Sequence, residues 1–144
     1  MISFHSLMPG FQLKKKREIK SWIKRVIETE NQKLGQVDII FCSDEYLLEM
    51  NVKYLNHNYI TDIITFGFNE DPEKISGDLF ISVERVEENA QAYNTTFDDE
   101  LRRVIVHGIL HLIGYDDKEK ADKQIMTGKE DFYLSEFNKI VDLR

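Results

Sequence analysis

The chain is poor in the residues that build disulfide-rich, collagen-like or disordered proteins. Its 144 residues include one cysteine, two prolines and seven glycines. The lone Cys42 cannot form an internal disulfide, and its position at the end of the apolar run VDIIFC predicts a small buried side chain in a strand. Because disulfide-free chains are typical of reducing compartments, we expect a cytoplasmic location.

Long apolar runs are also missing. No run approaches the roughly 18 residues that a membrane-spanning helix requires. The N-terminal sequence MISFHSLMPG lacks the basic-then-apolar order of a signal peptide. We therefore expect a soluble chain that is not exported and has no membrane partner.

Length and composition favour one ordinary globular unit. With 42% hydrophobic and 31% charged residues, a chain of this length can bury a self-sufficient core, so we expect residues 1–144 to form a single domain. Acidic residues outnumber basic ones by 26 to 19, which gives a formal net charge of -7. That balance disfavours non-specific binding to polyanions, so any nucleic-acid contact requires a local basic surface.

Hydrophobic periodicity predicts a mixture of strands and helices. Apolar residues recur at helical spacing from Lys14 to Asn31, and they alternate as in a strand from Thr61 to Phe68. QKLGQ predicts a turn. The predicted strands are 2–6, 37–42, 61–68 and 77–83. The predicted helices are 14–31, a segment capped by Ser43 and ended by NHNY, 84–93, 96–113 and 119–140. We expect an α+β fold in which a small mixed sheet is packed by four or five helices.

The segment HGILHLIGYDD carries the chemistry. His107 and His111 lie four residues apart on a predicted helix, so both imidazoles project from one face and can share a metal ion. Gly114 can end the helix in a left-handed conformation, which allows Asp117 to return toward the histidines. Two imidazoles and one carboxylate suit a catalytic zinc site, because a fourth position stays open for a water whose pKa the ion lowers. The alternative is a pair of core histidines with satisfied hydrogen bonds.

This segment resembles the YbeY family of bacterial endoribonucleases and rRNA maturation factors, whose signature is HGxLHLxGYDH. The matching residues are His107, Gly108, Leu110, His111, Leu112, Gly114, Tyr115 and Asp116. Upstream residues that follow the family's order are Asn51, Tyr54, Thr61, Asp62, Phe66, Gly77 and Asp78. The resemblance covers roughly residues 40 to 135, and it implies a zincin-like domain with the metal-binding helix at its centre.

The resemblance also implies an activity. It predicts a zinc-dependent endoribonuclease that cleaves single-stranded RNA, with one Zn²⁺ per chain. The implied roles are maturation of the 3′ end of 16S rRNA and ribosome quality control, with the small ribosomal subunit as a partner and DNA not expected as one. The catalytic and metal-binding residues are then His107, His111 and Asp117, while the general base stays unassigned.

Two positions depart from the family pattern. Asp117 stands where the family has a third zinc histidine; Asp116 and Asp122 are less well placed substitutes. Leu55 stands where the family has a functional arginine that would contact phosphate. Lys53 and His57 are candidates to replace that arginine, although a surface lysine and a loop histidine are the plainer interpretation. The departure at Leu55 affects the expected catalysis rather than the expected metal binding.

Two other functions compete with the endoribonuclease. A ribosome-assembly or RNA-binding factor with a structural metal would explain the loss of the arginine at Leu55. A metzincin-like metalloprotease shares the ligand spacing, but Gly108 stands where such proteases carry a glutamate base after the first histidine.

A basic face on the first predicted helix is the candidate RNA contact. Its residues are Lys14, Arg17, Lys20 and Lys24. The alternative is an ordinary solvated helix face. Trp22 could stack on a base, but it lies on the apolar stripe of the same helix, so we interpret it as core. We assign no role to His5.

Overall fold

The structure, a computed structural model, describes residues 1–68 and 70–142. Its strands are β1 (Ile2–Ser6), β2 (Lys33–Cys42), β3 (Ile63–Gly67) and β4 (Lys74–Ser82). Its helices are α1 (Lys16–Thr29), α2 (Asp44–Leu55), α3 (Val83–Ala92), α4 (Phe97–Ile113) and α5 (Lys120–Asp142). Within these described residues, the α+β class with a four-stranded sheet and five helices is confirmed.

The sheet is mixed, as predicted. Its strand order is β1-β2-β4-β3, with β1, β2 and β4 parallel and β3 antiparallel to β4. Because parallel neighbours cannot be joined by a tight turn, α1 connects β1 to β2. Alternate residues of the two central strands, such as Ile39 and Leu79, pair in register and face a common core.

Several predicted boundaries require correction. QKLGQ is not a turn: β2 begins at Lys33, and a β-bulge between Leu34 and Val37 absorbs the irregularity while the pairing with β4 continues. The first helix begins at Lys16, because Lys15 has a φ of 58°. Lys14 therefore lies before the helix rather than on its face.

Helix α4 is central. It packs on β3 and β4 and is flanked by α1, α3 and α5. Gly108 allows this close approach, since a Cβ atom there would lie 2.6 Å from Ile63 Cδ1 and 2.7 Å from Leu79 Cδ2. The backbone of α4 is thereby held tightly against the sheet, and the two histidines project from an adjacent part of the helix surface.

The core confirms two predictions about single residues. Trp22 is fully buried, and its Nε1 donates a hydrogen bond to the Tyr133 carbonyl at 2.7 Å. Cys42 is buried under α2 with Leu47 and Ile64. Burial raises the pKa of the Cys42 thiol to about 12, with Asp44 adding to the effect, so this cysteine stays an unreactive thiol. Within the described ranges, no helix has the length and apolar character needed to cross a bilayer.

Candidate metal centre

The N-terminal end of α4 follows its sequence signal. The Thr96 side chain accepts a hydrogen bond from the Asp99 backbone N–H at 3.1 Å, and acidic residues occupy the first turn. Both features stabilise a helix start by satisfying free N–H groups and opposing the helix dipole. The resulting helix places His107 and His111 one turn apart, with their ring centroids separated by 4.6 Å.

Gly114 ends α4 and reverses the chain. Its φ of 123° belongs to a region that L side chains rarely adopt. The backbone N–H of Gly114 bonds to the Leu110 and His111 carbonyls, and that of Tyr115 bonds to the Leu110 carbonyl. The following residues therefore run back along the helix end, which brings Asp117 to the histidines.

A second anchor holds this reversed segment. Glu30, at the C-terminal end of α1, accepts hydrogen bonds from the Tyr115 and Tyr133 hydroxyls and from Lys129 Nζ at 3.1 Å. Burial raises the pKa of Glu30, but these three donors outweigh it and lower the pKa below its ordinary value. Tyr115 is thus bound to an ionised carboxylate two residues before Asp117.

Three potential ligand atoms converge at this point. His107 Nε2 lies 3.1 Å from His111 Nε2, and Asp117 Oδ2 lies 3.3 Å and 3.4 Å from these two nitrogens. Ligands bound tetrahedrally to zinc at about 2.0–2.1 Å are separated by about 3.3 Å. The donor types and the spacing therefore both fit a zinc ion. Among the described residues, this group contains Asp117 but neither Asp116 nor Asp122.

Glu130 on α5 lies directly behind His107. Its Oε2 is 2.6 Å from His107 Nδ1, and its Oε1 accepts a hydrogen bond from Arg103 Nη1 at 2.8 Å. Burial lowers the pKa of His107, but Glu130, Asp117 and Asp62 together outweigh it and raise the pKa above its ordinary value. The surrounding carboxylates therefore favour positive charge close to the imidazole, which a cation bound at Nε2 would supply in place of a proton.

A polar cavity of about 290 Å³ opens beside the cluster. Its charged lining residues are Asp62, Glu100, Arg103, His107, Asp117, Lys123 and Glu130. Burial is the main cause that raises the pKa values of Asp62 and Glu100, and their mutual repulsion adds to the shift of Glu100. The cavity supplies space next to the ligand atoms in which a phosphodiester could lie.

Neither Lys53 nor His57, the residues considered as substitutes for the family arginine, lines this cavity. Leu55 is the last residue of α2 and is 40% exposed. Lys53 Nζ lies over the Tyr54 ring, and His57 Nδ1 is 3.0 Å from the Tyr59 hydroxyl. Each therefore has a partner on its own helix or loop rather than at the cluster.

The predicted basic surface is exposed. Lys14, Arg17, Lys20 and Lys24 are all accessible to solvent. Lys20 Nζ lies over the Phe4 ring, and Lys24 pairs with Glu28 at 3.9 Å. His5 pairs with Asp38 in the neighbouring strand at 3.1 Å.

Sequence reasoning missed Glu30, Arg103 and Glu130. Arg103 lies one turn before His107 in the sequence, and this spacing was a usable signal for its presence on the same helix face. Glu30 and Glu130 reach the centre only through the packing of α1 and α5, and no local spacing indicates them.

Fold and site together define the class of protein. The chain is an α+β protein whose central helix bears two histidines that, with an aspartate, could hold a metal ion beside a polar cavity. The family model described as Endoribonuclease YbeY matches residues 10–138. The chain belongs to this family, which confirms the resemblance seen in the signature and extends it over most of the sequence.

Curated relatives and a solved structure agree with this assignment. Endoribonuclease YbeY of Cytophaga hutchinsonii is 49% identical over 125 residues, which cover 87% of each chain. Endoribonuclease YbeY of Bacteroides fragilis is 50% identical over 121 residues, or 84% of this chain and 86% of the relative. The solution structure of TM1509 from Thermotoga maritima matches with a TM-score of 0.66 and 29% identity, covering 95% of this chain and 89% of that chain.

Proposed function

We propose that this chain is a zinc-dependent endoribonuclease that hydrolyses phosphodiester bonds in single-stranded RNA. The observation that carries the proposal is the convergence of His107 Nε2, His111 Nε2 and Asp117 Oδ2 at separations of 3.1–3.4 Å. Membership of a family whose model is described as an endoribonuclease supports a hydrolase acting on RNA. In this proposal residues 1–144 act as one hydrolase domain.

The ligand set would give the site its chemistry. A zinc ion held by His107, His111 and Asp117 would polarise the scissile phosphate and activate water for attack. The chain supplies the orientation: α4 holds both imidazoles, Gly114 returns Asp117, and the adjacent cavity accommodates the phosphodiester. Gly108 packs on Leu79 instead of supplying a base, which disfavours the metalloprotease alternative.

The proposed biological setting is rRNA processing. We infer that the enzyme matures the 3′ end of 16S rRNA, takes part in ribosome quality control, associates with the small ribosomal subunit and works in the cytoplasm. DNA and membranes are not expected as partners. A net charge of -7 means that RNA must be attracted locally, and the exposed residues Lys14, Arg17, Lys20 and Lys24 are the proposed contact.

A non-catalytic ribosome-assembly or RNA-binding factor is the second candidate. The observation that favours it is Leu55, which is exposed at the end of α2 where the family arginine would stand. In that case the metal would stabilise the fold without supporting cleavage.

Metal analysis combined with a cleavage assay distinguishes the two functions. We expect one zinc per purified chain and cleavage of a labelled single-stranded RNA that stops on chelation, returns with Zn²⁺ and is absent from His111→Ala. His5→Ala is the matched control, because this exposed histidine lies on the edge strand β1, pairs with Asp38 and has no assigned role. Stoichiometric zinc without cleavage would favour the assembly factor, and cleavage that survives His111→Ala would contradict the enzyme proposal.

A charge-reversal variant tests the basic surface. Changing Lys14, Arg17, Lys20 and Lys24 to Glu should weaken RNA binding at low salt. The slope of the logarithm of the binding constant against the logarithm of the salt concentration should become shallower, by about 0.7 for each phosphate that the protein no longer neutralises. The control changes Lys33, Lys74, Lys118 and Lys120 to Glu, since these exposed residues alter the net charge equally. Equal binding by both variants would remove this surface from the proposal.

A further inference from the structure

Glu130 is a buried acid with two fixed partners. It is 7% exposed and lies on α5, 23 positions after His107. One carboxylate oxygen contacts His107 Nδ1 at 2.6 Å, and the other accepts a hydrogen bond from Arg103 at 2.8 Å. Arg103 is itself held by Asp131 at 2.6 Å, so Glu130 has little freedom to turn away from the imidazole.

The contact decides which nitrogen of His107 carries the proton. An ionised carboxylate can only accept hydrogen bonds, so a contact of 2.6 Å requires an N–H at Nδ1. In the neutral imidazole, Nε2 then keeps its lone pair. Nε2 is also the atom that faces His111 Nε2 and Asp117 Oδ2.

We propose that Glu130 is a positioning residue, which fixes the tautomer and ring orientation of His107 so that Nε2 is the atom presented to a metal ion. Arg103 supports this role by holding the opposite oxygen of the carboxylate. The inference rests on the proposed metal centre, because its consequence is tighter metal binding. Carboxylates behind metal-ligating histidines fix the ring in this way, and their loss weakens metal affinity by about 10–100-fold.

The two histidines are not equivalent in this respect. Within the described part of the chain, no hydrogen bond or ion pair reaches His111 Nδ1; the contacts of this residue involve Nε2. Loss of Glu130 should therefore act on His107 directly, and on His111 only through the contact between the two Nε2 atoms. His5, which pairs with Asp38 on the neighbouring strand, is the internal reference in the same protein.

The test compares Glu130→Gln and Glu130→Ala with Glu136→Gln in the full-length chain. Glu136 is a suitable control because it lies on the same helix and pairs with Arg25 and Lys139 at 3.9 Å and 3.6 Å, away from the cluster. Zinc affinity is measured by competition with a chromogenic chelator, and the imidazole ¹⁵N shifts of His107, His111 and His5 are measured in the metal-free proteins. Thermal melts report on folding.

We expect zinc binding about 10-fold weaker for Glu130→Gln and about 100-fold weaker for Glu130→Ala. Glutamine keeps an oxygen that can accept a hydrogen bond from the Nδ1–H group, so its effect is the smaller one. The ¹⁵N shifts of His107 should move toward mixed tautomers, whereas those of His5, which pairs with Asp38 instead, should not. Glu136→Gln should match the unaltered protein in both measurements.

Each other outcome has a distinct meaning. If the unaltered chain does not bind zinc, the metal centre and the proposed function fail together. If it binds zinc and both Glu130 variants bind as tightly with unchanged His107 shifts, the inference alone is wrong and Glu130 is only a structural ion-pair partner. If Glu130→Ala does not fold, the isosteric Glu130→Gln decides the question.

Discussion

The two halves of the candidate metal centre are held in place by different means. His107 and His111 are separated by one turn of α4, so local helical hydrogen bonds set their spacing, and the tight packing at Gly108 fixes the helix on the sheet. Asp117 lies on the chain that follows the helix, where its position depends on Gly114 and on the bond from Tyr115 to Glu30. The Asp117 side chain is 40% exposed, against 23% and 25% for the histidines. The helical half of the centre, His107 and His111, is therefore positioned by local structure. The loop half, Asp117, depends on contacts that are distant in sequence.

Removal of a ligand should have the largest effect. Loss of a residue that orients a metal ligand weakens metal affinity by about 10–100-fold. Loss of a ligand itself should do more, so His111→Ala and Asp117→Ala should each weaken zinc binding by more than about 100-fold. Asp117→His should bind zinc nearly as well as the unaltered chain, since imidazole is an accepted ligand and the family signature has histidine there. Zinc competition measures all three.

Asp116→Asn is the matched control for these ligand variants. Asp116 precedes Asp117 and is exposed, so its change should leave zinc affinity unaltered. An Asp117→Ala variant that binds zinc like the unaltered chain would mean that the loop half supplies no ligand.

Gly114→Ala should have the next largest effect. Forcing a side chain into a backbone conformation that disfavours it costs about 1–3 kcal/mol, so the free energy of unfolding should fall by that amount in a denaturant titration. Zinc affinity should fall too, because Asp117 follows the altered turn.

Gly128→Ala is the control for Gly114→Ala, because it adds the same methyl group at a glycine without a positive φ. A Cβ atom added at either glycine would meet no atom within 4 Å, but Gly128 lies within α5 and has no positive φ. Its replacement should stabilise the protein by about 0.5–1 kcal/mol. If Gly114→Ala and Gly128→Ala lower the free energy of unfolding by the same amount, the turn at Gly114 has no special role.

Tyr115→Phe should have the smallest effect. It removes one of three donors to Glu30, and a hydrogen bond to a charged group contributes about 1.5–3 kcal/mol. Since Tyr133 and Lys129 still bind Glu30, we expect the free energy of unfolding to fall by an amount near the lower value. Zinc affinity should fall by less than about 10-fold. Tyr93→Phe is the control, as Tyr93 is 68% exposed. Unchanged zinc affinity in Tyr115→Phe would show that Asp117 keeps its place without the Glu30 contact.

Local patterns predicted most of the elements because helices and strands are encoded by short-range periodicity. Thr96 as a cap and Gly114 as a helix end were predicted correctly. The start of β2 was not, because the pairing of Lys33 with Lys74 in β4 overrode the turn signal of QKLGQ. Strand order likewise depends on long-range pairing that periodicity does not contain.

The site divides in the same way. The potential ligands were predicted because they lie within one short segment and their spacing follows from helix geometry. Glu30, Arg103 and Glu130 were not, because two of them come from helices that meet α4 only in the folded chain. Sequence spacing thus indicates the candidate ligands, and tertiary packing decides what orients them.

The placement of supporting residues on α5 has a consequence for biosynthesis. Glu130, which contacts His107, and Lys129 and Tyr133, which bind Glu30, all follow the two histidines in the chain. A polypeptide emerging from a ribosome therefore exposes its histidines before these residues are made. The candidate metal centre is complete only once that last helix has docked.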